Sequence, residues 1–250
     1  MKLFDLSGKV ALITGGSRGI GRATCLALAR QGAYVVINYV SNVAAADETL
    51  AAVRAEGGDG EVMPFNVADA DAVGKAVDDV NTRKQGLHIA VANAGVAIDG
   101  LLLRLKDADV DQMLSVNVKG ALYLAKSVTR VMLRQKYGRV IFISSVVGES
   151  GNVGQVGYAA SKGALLSIAK SLAKEYGSRN VTYNCVTPGF IATDMTAKIS
   201  DAMRQNILDM TPVGRLGTPE EVAASVAYLA SAEAGFVTGT ALRINGGLYV

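Results

Sequence analysis

Histidine, cysteine and proline are scarce in this chain, and each scarcity closes off a class of chemistry. One histidine and two cysteines among 250 residues leave too few imidazole and thiolate ligands for a zinc cluster. Cys25 and Cys185 stand alone inside apolar segments, outside any CxxC pattern that would mark a metal or redox site, so buried, reduced thiols are expected. His88, the lone histidine, is read as structural. Four prolines against 28 glycines, the glycines spread along the whole length, argue for repeated tight turns between regular elements rather than a linker. No repeat or low-complexity tract divides the chain. A single domain over 1–250 is expected, with half of its residues hydrophobic to fill a core.

An excess of one charge is missing too. The 25 basic and 22 acidic residues give a net charge of +3, too balanced for a nucleic-acid binder that works through bulk electrostatics. No apolar stretch reaches the roughly 18–20 residues of a membrane span, and Met1 to Gly8 carry no basic segment followed by an apolar run. A cytoplasmic protein with no membrane or nucleic-acid partner is expected, and no metal site.

What is present is alternation. Short β-branched runs at Val10–Thr14, Tyr34–Asn38, Val62–Phe65, Ile89–Ala92, Val140–Ser144, Val181–Val186 and Ala241–Ile244 are separated by segments with helical spacing, such as Leu165, Ile168, Ala169, Leu172 and Tyr176. The pattern predicts an α/β fold: a single-domain, Rossmann-like, doubly wound sheet of seven mostly parallel strands flanked by helices and joined by right-handed crossovers. Ligands of such sheets lie beyond the carboxyl ends of the strands, so chemistry is sought just after each run.

After the first run comes Thr14-Gly15-Gly16-Ser17-Arg18-Gly19-Ile20-Gly21, then the helical stretch Arg22 to Arg30. Glycines there admit positive φ and close approach of the backbone to phosphate oxygens, and a helix amino terminus offers free amides. The spacing is Gly-x-x-x-Gly-x-Gly, not GxGxxG. The acidic residue that ends the second strand in the NAD signature is absent: the strand reads on through Asn38, Tyr39, Val40 and Ser41, and the next acid is Asp47. With Arg18 available to pair a 2′-phosphate, NADP(H) is the expected cofactor, and Gly15, Gly16, Ser17, Arg18, Ile20, Asn38 and Ser41 its expected contacts.

Ser144-Ser145 closes the fifth run, and Tyr158 and Lys162 follow at i and i+4 on one helix face. A phenol with an ordinary pKa near 10 is a poor acid–base group at neutral pH. A neighbouring ammonium favours its phenolate.

Together these pieces resemble the short-chain dehydrogenase/reductase family, in the form that reduces 3-oxoacyl groups on acyl carrier protein. The likeness covers essentially the whole chain. It is carried by TGGSRGIG at 14–21, Asn66-Val67, Asn93-Ala94-Gly95, Asn117, Ser145, Tyr158, Lys162 and Pro188-Gly189, with ISSVVGESGN at 143–152, PGFIATDM at 188–195 and the terminal INGGLYV closest to the 3-oxoacyl reductases. Ala92 departs from the NNAG often found there. The resemblance implies that Tyr158 donates a proton to the substrate oxygen, that Ser145 binds and orients that oxygen, and that Lys162 holds the nicotinamide ribose and lowers the tyrosine pKa. Asn117 would support a proton-relaying water. Asn66 and Val67 would flank adenine, Asn93, Ala94 and Gly95 line a ribose, and Pro188, Gly189 and Ile191 meet the nicotinamide. Residues 193–210 would form a substrate lid.

The family also implies a homotetramer, packed through Asp109–Gln135 and Gly157–Tyr176 with the carboxyl-terminal strand as a second interface. An acidic carrier protein would dock at Lys136 and Arg179, supported by Arg130 and Arg134. The alternatives are a sibling reductase of acetoacetyl-CoA, a sugar, a steroid or another small ketone, and a redox-sensing regulator that binds NADP without turnover.

Overall fold

The computed structural model describes residues 3–193, 196 and 200–250. Strand and helix alternate: β1 (Val10–Ile13), α1 (Gly19–Arg30), β2 (Tyr34–Tyr39), α2 (Val43–Ala55), β3 (Asp59–Pro64), α3 (Ala70–Lys84) and β4 (Ile89–Ala92) make the first half. The second half runs α4 (Asp107–Met113), α5 (Gly120–Gln135), β5 (Gly138–Ile143), α6 (Val147–Ser150), α7 (Val156–Tyr176), β6 (Val181–Pro188), α8 (Asp201–Met210), α9 (Pro219–Ala230) and β7 (Ala241–Ile244). All seven strands lie in one sheet, ordered β3-β2-β1-β4-β5-β6-β7, and every pairing is parallel. The order reverses between β1 and β4, which opens a crevice at their carboxyl ends.

The central strands β1, β4, β5 and β6 are buried on both faces, and the alternation along the sheet sorts two cores. Leu12, Val36, Ala90, Val140 and Phe142 face α3, α5 and α7 through Val77, Val128 and Leu165. Ala11, Ile13, Val35, Ile89 and Ile141 face α1, α2 and α9 through Leu28, Val53 and Val226. Each such aliphatic side chain contributes about 1.5–3 kcal/mol of burial. Both cysteines lie in these cores as free thiols, and burial pushes the Cys185 thiol up to about 12. His88 accepts the Val10 amide on Nδ1 (3.1 Å), which uses its one acceptor for the backbone and fits a structural histidine.

Three strand boundaries differ from the sequence reading by two residues or more. β3 begins at Asp59 because Asp59, Gly60 and Glu61 pair in register with Tyr34, Val35 and Val36, although none of the three has β-branched character. β5 begins at Gly138, and β6 continues to Pro188, whose missing N–H costs nothing at the end of a strand. Among the described residues no helix is long and apolar enough to cross a membrane.

Candidate active site

The glycine turn is shaped by three constraints. Gly15 and Gly19 have φ of +62° and +53°, in the left-handed region that favours glycine. A Cβ on Gly21 would overlap the Gly15 carbonyl oxygen, so the helix can start against the turn only without a side chain there. Arg18 is the N-cap of α1 and makes no side-chain cap, whereas Asn42, Asp69 and Thr218 cap α2, α3 and α9 with side-chain oxygens. The first-turn amides of α1 are therefore left for an anion in the crevice, which is the donor set a pyrophosphate needs. On this geometry the residues present fit a dinucleotide.

Buried polar side chains hold that turn. Asn38, 1 % exposed, accepts the Gly15 amide (3.1 Å) and donates to the carbonyls of Tyr39, Met63 and Phe65. Its side chain is committed to the backbone of β2, of β3 and of Phe65 just after it, so it props the turn from behind. Asn93 is committed in the same way, donating to the Thr14 and Gly15 carbonyls (3.0 Å each). Thr14 accepts the amides of Asn93 and Ala94 and donates to the Val91 carbonyl. Val67 is buried in the core against Gly120, which leaves its backbone as its means of meeting a ligand. Arg18, Ser41, Asn66 and Gly95 are exposed at the rim. Thr14 was quoted within the motif but given no role. A hydroxyl one residue before the first glycine was the available signal.

Across the crevice, Ser145 follows β5, and Tyr158 and Lys162 lie in the first two turns of α7. Tyr158 is hydrogen-bonded to the Ser145 side chain. Burial pushes its phenol up, the Ser145 bond pulls it down, and Asp99 adds to the rise. Lys162 is buried, donates to the Ile143 carbonyl (2.8 Å) and has its ammonium 5.7 Å from the centre of the Tyr158 ring. Desolvation brings its pKa down to about 8. In this state burial dominates both groups and holds the phenol protonated.

Asn117 sits in a π-helical turn, Leu114–Lys119, between α4 and α5. Its side chain clasps Val96, accepting from the amide (2.8 Å) and donating to the carbonyl (2.9 Å). It also donates to Ser161 Oγ (2.9 Å), which in turn donates to the Tyr158 carbonyl (2.8 Å). Ser161, absent from the sequence reading, is the link between Asn117 and the first turn of α7. Its place in Tyr-Ala-Ala-Ser-Lys was the only sequence signal. Gly189 packs where a Cβ would meet Asn245, and Ile191, 4 % exposed, forms a parallel bridge with Gly217. Of the lid expected at 193–210, residues 194, 195 and 197–199 lie outside the described residues. The described remainder includes α8, with Met203 and Met210 about half exposed.

A doubly wound parallel sheet, an uncapped glycine turn at its switch point and a half-buried tyrosine with a buried lysine beside a serine define a dinucleotide-dependent oxidoreductase. The sequence profile described as enoyl-(acyl carrier protein) reductase matches residues 15–249. The chain is 42 % identical over 247 residues to the 3-oxoacyl-[acyl-carrier-protein] reductase FabG of Escherichia coli K12, covering 98 % of this chain and 99 % of the relative. It is 41 % identical over 245 residues to the protein of the same name from Haemophilus influenzae, covering 98 % and 100 %. A crystal structure of a protein proposed to be a gluconate dehydrogenase, from Agrobacterium tumefaciens, superposes with a TM-score of 0.96 at 27 % identity over the whole of both chains. The chain belongs to the short-chain dehydrogenase/reductase family, a family of nicotinamide-dependent oxidoreductases.

Proposed function

We propose that this protein reduces a 3-oxoacyl thioester on acyl carrier protein to the 3-hydroxyacyl thioester with NADPH, a step of fatty acid synthesis. The observation that carries the reading is full-length identity above 40 % to 3-oxoacyl-[acyl-carrier-protein] reductases, joined to a Ser145–Tyr158–Lys162 set at the mouth of the crevice. NADPH, when bound, supplies the hydride to the carbonyl carbon. The chain supplies the proton and its alignment. Tyr158, kept protonated by burial, is the general acid toward the carbonyl oxygen. Ser145 Oγ accepts the Val147 amide (3.2 Å), and its own proton, directed at Tyr158 in this structure, is the one that would pass to the substrate oxygen. Lys162 spends one N–H on Ile143, leaving donors for the nicotinamide ribose and for proton return to Tyr158 through a water at Asn117, whose side chain is spent on Val96 and Ser161 and whose backbone is left to support it.

NADPH over NADH is supported by the exposed Arg18 at the start of α1 and by the end of β2, where Asn38 is buried and Ser41 exposed and no carboxylate is offered. The segment around α8 is the proposed acyl lid. A homotetramer is supported by a groove of about 380 Å³ between α5 and α7, lined by Leu122, Leu133, Leu172 and Tyr176. The proposed setting is the cytoplasm.

Initial rates with NADPH and NADH on acetoacetyl-carrier protein, acetoacetyl-CoA and simple ketones test the whole reading. The expected result is a preference for NADPH and for the carrier-bound thioester, with Arg18→Ala narrowing the cofactor ratio about tenfold. Preference for acetoacetyl-CoA or a simple ketone overturns the substrate, and preference for NADH overturns the cofactor.

A further inference from the structure

We infer that Glu149 and Arg243 form a positioning clamp that holds the Ser145 turn at a fixed distance from the Gly189–Ile191 turn, and thereby aligns a substrate carbonyl between proton donor and cofactor. The inference rests on the proposed role of Ser145 at the reacting oxygen, and neither clamp residue belongs to that set. Glu149 lies in α6, a four-residue helix that begins two residues after Ser145. A helix this short does not stabilise itself, so its position is set by tertiary contacts.

Those contacts lead in two directions. Toward Ser145, the Val147 amide donates to Ser145 Oγ (3.2 Å), the Gly148 amide to the Ser145 carbonyl (3.0 Å) and the Glu149 amide to the Val146 carbonyl (2.9 Å). A Cβ on Gly148 would lie 2.8 Å from both the Lys162 carbonyl carbon and the Gly163 nitrogen, so α6 also rests directly on the lysine turn of α7. Away from Ser145, Arg243 on the edge strand β7 donates to Glu149 from Nη2 (2.8 Å) and Nε (3.1 Å). The other side of its guanidinium lies 5.1 Å from the Tyr249 ring centre. β7 then carries a second tie to the cofactor side, beside the direct one in which the Val146 amide donates to the Pro188 carbonyl (2.8 Å). The Gly189 amide donates to the Ile244 carbonyl (3.0 Å), and a Cβ on Gly189 would sit 2.9 Å from Asn245 Cα.

The ion pair differs from an ordinary surface bridge in burial. The Glu149 side chain is 9 % exposed, whereas the carboxylates of the Arg30–Glu56, Arg54–Asp59, Arg83–Glu61, Arg83–Asp79 and Arg215–Glu221 pairs are 25–69 % exposed. A carboxylate so enclosed is costly without its partner, so losing Arg243 forces the α6 turn to move.

The test compares wild type with Arg243→Leu, Arg243→Lys, Glu149→Gln and the exchange Glu149→Arg/Arg243→Glu, using acetoacetyl-CoA, NADPH and NADPH deuterated at the transferred hydrogen. The expected result is a kcat about 10- to 30-fold lower in Arg243→Leu and Glu149→Gln, with NADPH affinity within about twofold and a larger isotope effect on kcat. Recovery is expected in Arg243→Lys and in the exchange variant. A kcat within about twofold of wild type in both single variants overturns the clamp. So does a loss of kcat that comes with an equal loss of NADPH affinity. If wild type does not turn over, the substrate reading fails instead, and amide hydrogen exchange then decides the clamp. Exchange about tenfold faster at residues 147–149 in Arg243→Leu, with 14–21 unchanged, supports it, and unchanged exchange at 147–149 overturns it.

Discussion

On the β1–β4 side of the crevice the groups turned toward a ligand are backbone amides, whereas on the β5–β7 side they are side chains. The glycine turn carries no side chain from Gly15 to Gly16 and is propped from behind by Thr14, Asn38 and Asn93, all spent on main-chain partners. The opposite wall is a set of side chains from β5, the π-helical turn and α7, desolvated enough to move their pKa values. The first design tolerates no added atom. The second tolerates atoms but not a change of protonation or alignment. Substitutions on the two sides should therefore separate binding from turnover.

The sharpest separation is expected at Tyr158. Tyr158→Phe removes the proton donor and the Ser145 hydrogen bond while keeping the ring, so turnover should fall by about 10²–10⁴ with NADPH affinity close to wild type. Single-turnover rates beside a fluorescence titration measure the two. Retained turnover would place the acid elsewhere, and lost cofactor binding would erase the contrast between the walls.

Gly21→Ala probes the other side. Its methyl group collides with the Gly15 carbonyl, a backbone group that cannot swing aside, so the turn must open and the α1 amides lose their aim. The expected loss is about 10²-fold in NADPH affinity, with about 1–3 kcal/mol of stability. A variant that binds NADPH normally, by the same titration, would show that the turn is softer than its packing implies.

The same contrast governs what the sequence made legible. The sheet was readable because strands buried on both faces are continuous β-branched runs, and the glycine turn because its constraint is steric and local. β3 was clipped because Asp59, Gly60 and Glu61 are strand by virtue of their partners in β2 alone. The propping role of Asn38 was hidden for a related reason: position at a strand end marks nearness to a ligand but not the direction of the side chain. The second wall could be assembled only through resemblance, since nothing in the spacing of Asn117, Ser145 and Tyr158 indicates that one crevice gathers them. The Glu149–Arg243 pair, separated by most of the second half of the chain, left no local trace at all.

Lys162 gives the second wall a signature in stability. Its folded pKa, about 8, lies below the ordinary lysine value of 10.5, so between these limits the unfolded chain binds more protons and unfolding free energy rises with pH. The contribution is at most about 3 kcal/mol, penalising the fold below pH 8 and vanishing above pH 10.5. Tyr158, raised above its ordinary value of 10, acts in the opposite direction at still higher pH: its unfolded form loses its proton first, so stability falls there. Lys162→Met should therefore flatten the rise between pH 8 and 10 in urea titrations and raise stability at pH 7, even as it removes turnover. An unchanged slope would mean that Lys162 titrates normally.

The smallest effect is expected far from both walls. Lys136 closes α5 in a left-handed conformation, and Asn180, directly after Arg179, donates to the Lys136 carbonyl (3.1 Å), so the two expected docking residues stand on touching loops. Both are exposed, as are Arg130 and Arg134. They lie at the amino ends of β5 and β6, while Ser145 follows the carboxyl end of β5. A six-residue strand separates the two ends by about 20 Å. A carrier protein seated on this patch cannot serve the crevice of the same chain through the sheet. It requires a neighbour packed antiparallel along α5 and α7, which brings one subunit's patch beside the other's mouth. Lys136→Glu/Arg179→Glu should therefore raise KM for acetoacetyl-carrier protein several-fold, roughly 3- to 10-fold, more at low salt, while sparing acetoacetyl-CoA. Equal losses on both substrates with the assembly intact in light scattering would remove the docking role. Loss of the carrier-protein effect in a variant driven to monomer would tie the patch to the neighbour's site.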